Sequence, residues 1–157
     1  MPHTYISPSN TFSLEYPDDW RLEKEMDGTL RLNRKTGFLK KDSPFSLRIT
    51  PLVSDEIISP EAYKALLTIR RKQHQNLTVI ESDFNFTMNF HILKYQKEIY
   101  LDVKDRTFLF LQDYWELIIS NRIFTCWFTA KQGEENSPQA LEEKAAAEKI
   151  LNSIKLL

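Results

Sequence analysis

Between Asp83 and Ile92 apolar and polar residues alternate without a break. Phe84, Phe86, Met88, Phe90 and Ile92 share one parity, and Asp83, Asn85, Thr87, Asn89 and His91 the other. Only an extended chain sends successive side chains to opposite faces, so this run reads as a strand, or a tight hairpin, with one face buried. Bulky residues on one face of a sheet need a second layer to cover them. The same period recurs in Phe12, Leu14 and Tyr16, in Phe45 to Leu52, and in Ile99, Leu101 and Val103.

Other stretches extend the pattern. Trp20, Leu22 and Met26 precede Asp27-Gly28, and Leu30 and Leu32 follow it, which predicts a hairpin turning at that dipeptide. Pro51 suits an edge or a strand end, because it has no N–H to give a ladder. Phe108 to Leu111 and Trp115 to Ile119 are continuously apolar, as in strands covered on both faces. Ser120-Asn121-Arg122 then turns the chain into Ile123 to Ala130.

Two helices interrupt the strands. Ser59-Pro60-Glu61 supplies a cap, a first-turn proline and an acid at the positive end of the dipole. Ala62, Leu66 and Ile69 form the apolar stripe that follows, and Arg70, Arg71, Lys72 and His74 complement the dipole at its other end. Ser137-Pro138 repeats the opening, with Glu142 and Glu143 early and Leu141, Ala147, Ile150, Leu151 and Ile154 on the apolar side. Strands, helix, strands, helix predicts an α+β fold, an antiparallel β-sheet packed between helices, with residues 1–157 as a single domain. The expected core includes Phe12, Leu14, Tyr16, Phe86, Phe90 and Phe128, covered by helix faces through Leu66, Ile69, Ile150 and Ile154.

Two short stretches resemble a known family. Phe12-Ser-Leu-Glu-Tyr16-Pro17-Asp-Asp-Trp20 looks like the opening of PsbP-like domains, where a strand ends in Tyr-Pro and a Trp follows. Ile150-Leu151-Asn-Ser153-Ile154-Lys-Leu156 is similar to their closing helix. The resemblance implies an antiparallel sheet between helices. It also implies a binding module rather than an enzyme, since the group includes a photosystem II subunit and a Ran-binding import factor of the Mog type. No functional residue of those members matches here position by position.

The chemistry the chain lacks narrows its function further. Its three glycines, Gly28, Gly37 and Gly133, are too far apart for a phosphate-cradling loop or a dinucleotide fingerprint. His3, His74 and His91 show no metal-ligand spacing, and with one cysteine a structural zinc site is not expected. Cys126, between Phe124 and Phe128 on one strand face, reads as a small core residue, and Trp20 as a core plug. The pairs Asp18-Asp19, Glu134-Glu135 and Glu142-Glu143 read as solvated carboxylates. No cofactor and no metal are expected.

A formal charge of −1 gives no overall field toward nucleic acid or a membrane surface. No apolar run approaches the ~20 residues of a membrane helix. The first ten residues lack the basic and apolar segments of a leader, and the lone cysteine fits a reducing compartment, so a cytoplasmic location is expected.

One local imbalance remains. Arg31, Arg34, Lys35, Lys40, Lys41 and Arg48 face a single acid, Asp42, within their window. As a binding surface these cations would meet an acidic protein partner; as plain surface they would keep a loop soluble. The reading is a non-catalytic binding module for another protein. The alternatives are a small-molecule hydrolase or other enzyme with a site assembled from scattered residues, and an immunity-type partner that blocks a toxin.

Overall fold

The computed structural model describes residues 1–39, 41–53, 77–83, 87–88, 91–101, 109–119, 122–131, 134 and 136–157. The chain opens with β1 (His3–Ile6), β2 (Phe12–Tyr16), β3 (Trp20–Lys24), β4 (Leu30–Thr36), β5 (Lys41–Asp42) and β6 (Ser46–Val53). It continues with β7 (Leu77–Asp83), β8 (Thr87–Met88), β9 (His91–Leu101), β10 (Leu109–Ile119) and β11 (Arg122–Lys131). A helix, α1 (Pro138–Asn152), and a last short strand, β12 (Lys155–Leu156), complete it.

The strands form two antiparallel sheets. The larger runs β3-β4-β6-β11-β10-β9-β7, with β5 paired to β4 and β8 to β9. The smaller runs β1-β2-β12. Register explains why one face of the large sheet is apolar. Leu30 pairs with Ile49 and Leu32 with Leu47. Ile49 pairs in turn with Cys126 and Leu47 with Phe128, and Cys126 with Trp115 and Phe124 with Leu117. All these side chains are buried. Against them pack Phe12 and Leu14 of β2 and Ala140, Ala147, Ile150 and Leu151 of α1. The Phe12 ring meets Phe124 edge-on at 5.1 Å between centroids, joining the two sheets.

The α+β, antiparallel reading therefore holds, and the core expected from Phe12, Leu14, Phe128, Ile150 and Ile154 is buried. Tyr16 is only partly buried, packed on the core rim and tilted against His3. The helix read from Ser59, with Leu66 and Ile69, lies outside the described residues, as do Phe84, Phe86, Phe90 and Val103. Between them, Thr87 pairs with Ile92 and Met88 with His91, the register of the tight-hairpin alternative.

Four expectations need correction. The first hairpin turns through residues 25–29 rather than two, because Asp27 Oδ1 accepts from the Thr29 N–H and Gly28 takes φ +88°; Met26 is left in solvent. Residues 109–111 and 115–119 belong to one strand, β10, which runs through Asp113. Asp113 is buried on the core face because Lys144 of α1 meets it at 2.9 Å. On α1 the buried stripe is Ala140, Glu143, Ala147, Ile150 and Leu151, so Leu141, one residue out of phase, is exposed and Glu143 is not solvated. Finally, the helix stops at Asn152, and Lys155 and Leu156 pair with Ser13 and Phe12 as a strand. Pro51 sits in β6 beyond the last pair with β4, where a missing N–H costs no ladder bond on that side.

Candidate functional site

Five of the six cations singled out in the sequence, Arg31, Arg34, Lys35, Lys41 and Arg48, fall on and beside the hairpin formed by β4 and β5. β4 continues past its pairing with β6 to Thr36, and β5 returns beside it, Lys35 against Asp42 and Thr36 against Lys41. Gly37 turns the chain at φ +73°, a conformation that favours glycine.

Most of the positive charge is already matched. Arg31 donates from Nη2 to Glu23 Oε2 at 2.5 Å. Arg34 donates from Nε to Asp19 Oδ2 at 2.8 Å, and its Nη1 lies 3.0 Å from Glu142 Oε1 on α1. Lys35 Nζ reaches Asp42 Oδ1 at 2.5 Å, and Arg48 Nε reaches Glu25 Oε1 at 3.4 Å. Arg21 adds a second cation to Asp42 at 3.2 Å and also pairs with Glu23. The hydrogen bond from Lys35, with Arg21 and Arg31 nearby, holds the Asp42 carboxyl below its usual value. The hydrogen bond to Asp19, then Glu142, raises the Arg34 guanidinium.

The sequence window missed this neutralisation for a topological reason. Three of the partners, Asp19, Glu23 and Glu25, come from β3 and the turns at its two ends, and Glu142 from α1 more than a hundred residues on. What stays unmatched is the end of the hairpin. Lys41 is exposed, and no carboxylate among the described residues lies within ion-pair distance of it. Lys40 lies outside the described residues. Beside them Phe38 is 100 % and Leu39 72 % exposed. Sequence reasoning passed over these two; the available signal was an apolar pair inside an otherwise polar turn, between Gly37 and Lys40.

Groups with catalytic potential are placed differently. Ser43 Oγ donates to Glu143 Oε2 at 2.9 Å, but Ser43 is 5 % and Glu143 0 % exposed, so the pair is sealed in the core. An open cleft of about 490 Å³ beside the start of α1 is lined, among the described residues, by Pro44, Phe45, Glu134, Ser137, Pro138 and Gln139, of which only the exposed Glu134 is ionisable. Cys126 is fully buried, its Sγ 3.5 Å from the Phe124 carbonyl oxygen. Among the described residues, no three of His, Cys, Asp and Glu converge as a metal site would require, and no helix is long and apolar enough to cross a membrane.

Comparison with solved structures places this arrangement. The yeast Ran-binding protein Mog1p from Saccharomyces cerevisiae superposes with a TM-score of 0.63 at 6 % identity, over 99 % of this chain and 95 % of that one. Cyanobacterial PsbP from Synechocystis sp. PCC 6803 gives 0.55 at 10 % identity, over 99 % and 92 %. The chain has the PsbP/Mog-like fold. A protein from Bacteroides thetaiotaomicron VPI-5482 gives 0.63 at 18 % identity, and this chain spans 98 % of itself but only 48 % of that protein. No family model matches the sequence, and no curated protein does. Identities this low carry the fold and nothing finer.

Proposed function

We propose that this chain, as a single domain, is a non-catalytic protein-binding module that works in the cytoplasm and meets an acidic partner through the end of the β4–β5 hairpin. The observation that carries the reading is Lys41, an exposed cation without a carboxylate on a hairpin whose other described cations each have one. Arg31, Arg34, Lys35 and Arg48 then form the rigid base of the surface, and Lys40 and Lys41 its contact edge. Two further points support binding over catalysis. The Ser43–Glu143 pair is closed to substrate, and a protein of the same fold, Mog1p, is named for binding the protein Ran.

The test is capture from cells of the source organism. The wild-type chain and a Lys40→Glu, Lys41→Glu variant serve as baits at low salt, with bound proteins identified by mass spectrometry. A partner retained by the wild type should be lost from the variant, and from the wild type as salt rises, because exposed charges are screened over ~8 Å at physiological ionic strength. A partner held equally by both baits at low salt overturns the proposed surface.

A further inference from the structure

Phe38 and Leu39 stand next to each other at the hairpin end, 100 % and 72 % exposed. Single apolar residues in water are ordinary, but an aromatic and an aliphatic side chain side by side at the tip of a tight turn are not required by the fold. The tip is firmly based. Lys35 is tied to Asp42 across the hairpin, Ser43 N–H donates to the Arg34 carbonyl at 2.8 Å, and Lys35 N–H donates to the Asp19 carbonyl at 2.6 Å. An apolar side chain that stands wholly in water on a hydrogen-bonded hairpin has much apolar surface to lose on binding, which is the profile of an interface anchor.

We infer that Phe38 is the anchor of this surface, inserting with Leu39 into an apolar pocket on a partner protein whose rim carries carboxylates for Lys41. The inference rests on the binding-module reading and names the partner's chemistry. A protein pocket fits better than an anionic bilayer or a nucleic-acid strand. Arg31, Arg34, Lys35 and Arg48 are taken up by Glu23, Asp19, Glu142, Asp42 and Glu25, so the tip lacks the clustered free charge that lipid headgroups or phosphates demand. Two apolar side chains are too few to hold a membrane, yet enough to dominate a small protein interface.

The experiment is photo-crosslinking from the tip. Phe38→p-benzoylphenylalanine is introduced into the full chain and irradiated in the cells, with the same replacement at Met26, an exposed residue in the turn at the opposite end of β4, as comparison. The expected adduct is a protein segment in which apolar residues are flanked by Asp or Glu, formed from position 38 and not from 26. Adducts on phospholipid, on nucleic acid or on a second copy of this chain overturn the inference. Capture of a protein from position 26 but none from 38 overturns the anchor while leaving a binding module; capture from neither, with Lys40→Glu, Lys41→Glu also silent, overturns both.

With the captured protein in hand, Phe38→Ala should speed dissociation by roughly tenfold or more and leave association nearly unchanged, Phe38→Leu should recover most of the loss, and Lys41→Glu should chiefly slow association. An unchanged dissociation rate for Phe38→Ala overturns the anchor role. Thermal unfolding of Phe38→Ala should match the wild type, since its side chain touches only water.

Discussion

Arg34 on β4 and Glu142 on α1 stand 3.0 Å apart, Nη1 to Oε1, and with Asp19 on the same guanidinium they tie the helix to the rim of the sheet. The pair does for α1 from outside what Lys144 and Asp113 do from within the core face. A residue that reads in sequence as one of a patch of cations is thus part of the frame that holds the patch in place.

Arg34→Met should therefore cost about 1 kcal/mol in urea unfolding, the size of part-exposed ion pairs rather than buried ones. A double-mutant cycle with Glu142→Gln should return a coupling under about 1 kcal/mol. Partner binding, by the proposal above, should persist in Arg34→Met. Loss of binding with unchanged stability would assign Arg34 to the interface instead.

Glu143 makes stability depend on pH. Burial raises its carboxyl above the usual value, opposed by the hydrogen bond from Ser43, and Oε1 has no hydrogen-bond partner among the described residues. The folded chain thus holds this proton more tightly than the unfolded one. Its stabilising contribution is complete below the unfolded value of about 4.3 and is lost as pH rises through the raised folded value. Asp42, held below its usual value by Lys35, acts oppositely and at lower pH. Urea midpoints from pH 4 to 8 should show Glu143→Gln gaining on the wild type as pH rises. A constant gap across that range would refute the assignment.

The two sheets meet at Phe12 and Phe124, both buried. Phe124→Ala should destabilise by about 3–5 kcal/mol. In a cycle with Phe12→Leu, the edge-on contact itself should account for about 0.5–1.5 kcal/mol. Additive losses would mean that the sheets are held together by other residues.

Cys126 should be inert in the folded state. With 0 % exposure its thiol becomes available only when β6, β11 and β10 separate. Labelling by a thiol reagent should accelerate with urea in step with unfolding. Rapid modification in native buffer would contradict the packing described here.

Gly37 sets the hairpin end. Its φ of +73° disfavours any side chain even though a Cβ would meet nothing within 4 Å, so Gly37→Ala should cost about 1–2 kcal/mol. Hydrogen exchange should show the loosening confined to residues 35–42. A neutral effect would mean the turn can relax into another form.

The large sheet was legible because its strands carry period-two patterns that pairing preserves; Leu47 and Ile49 face Phe128 and Cys126 as their parity requires. Ser137-Pro138 likewise announced α1, and the Ser137 side chain accepts from the Ala140 N–H as a cap should. β1 and β12 escaped notice because His3–Ile6 and Lys155–Leu156 are short and mostly exposed, and only their pairing with β2 makes them strands. Asp113 and Glu143 broke the apolar rule because Lys144 and Ser43 meet them from far along the chain. The candidate site was half visible. The cations stood out in the window, but their partners lay outside it, and Phe38 drew no attention because a turn has no period to violate.

β12 closes the small sheet by pairing with β2, and Glu15 N–H bonds to Ser153 Oγ across 138 residues of sequence. During synthesis, then, β2 emerges from the ribosome long before its second neighbour, β12, exists. Until then it presents an open edge to other nascent chains, and pairing over such separations is slow. Removing Lys155 to Leu157 should leave the large sheet's pairings intact yet lower the yield of soluble protein in the cell, because β2 then keeps that open edge after synthesis as well.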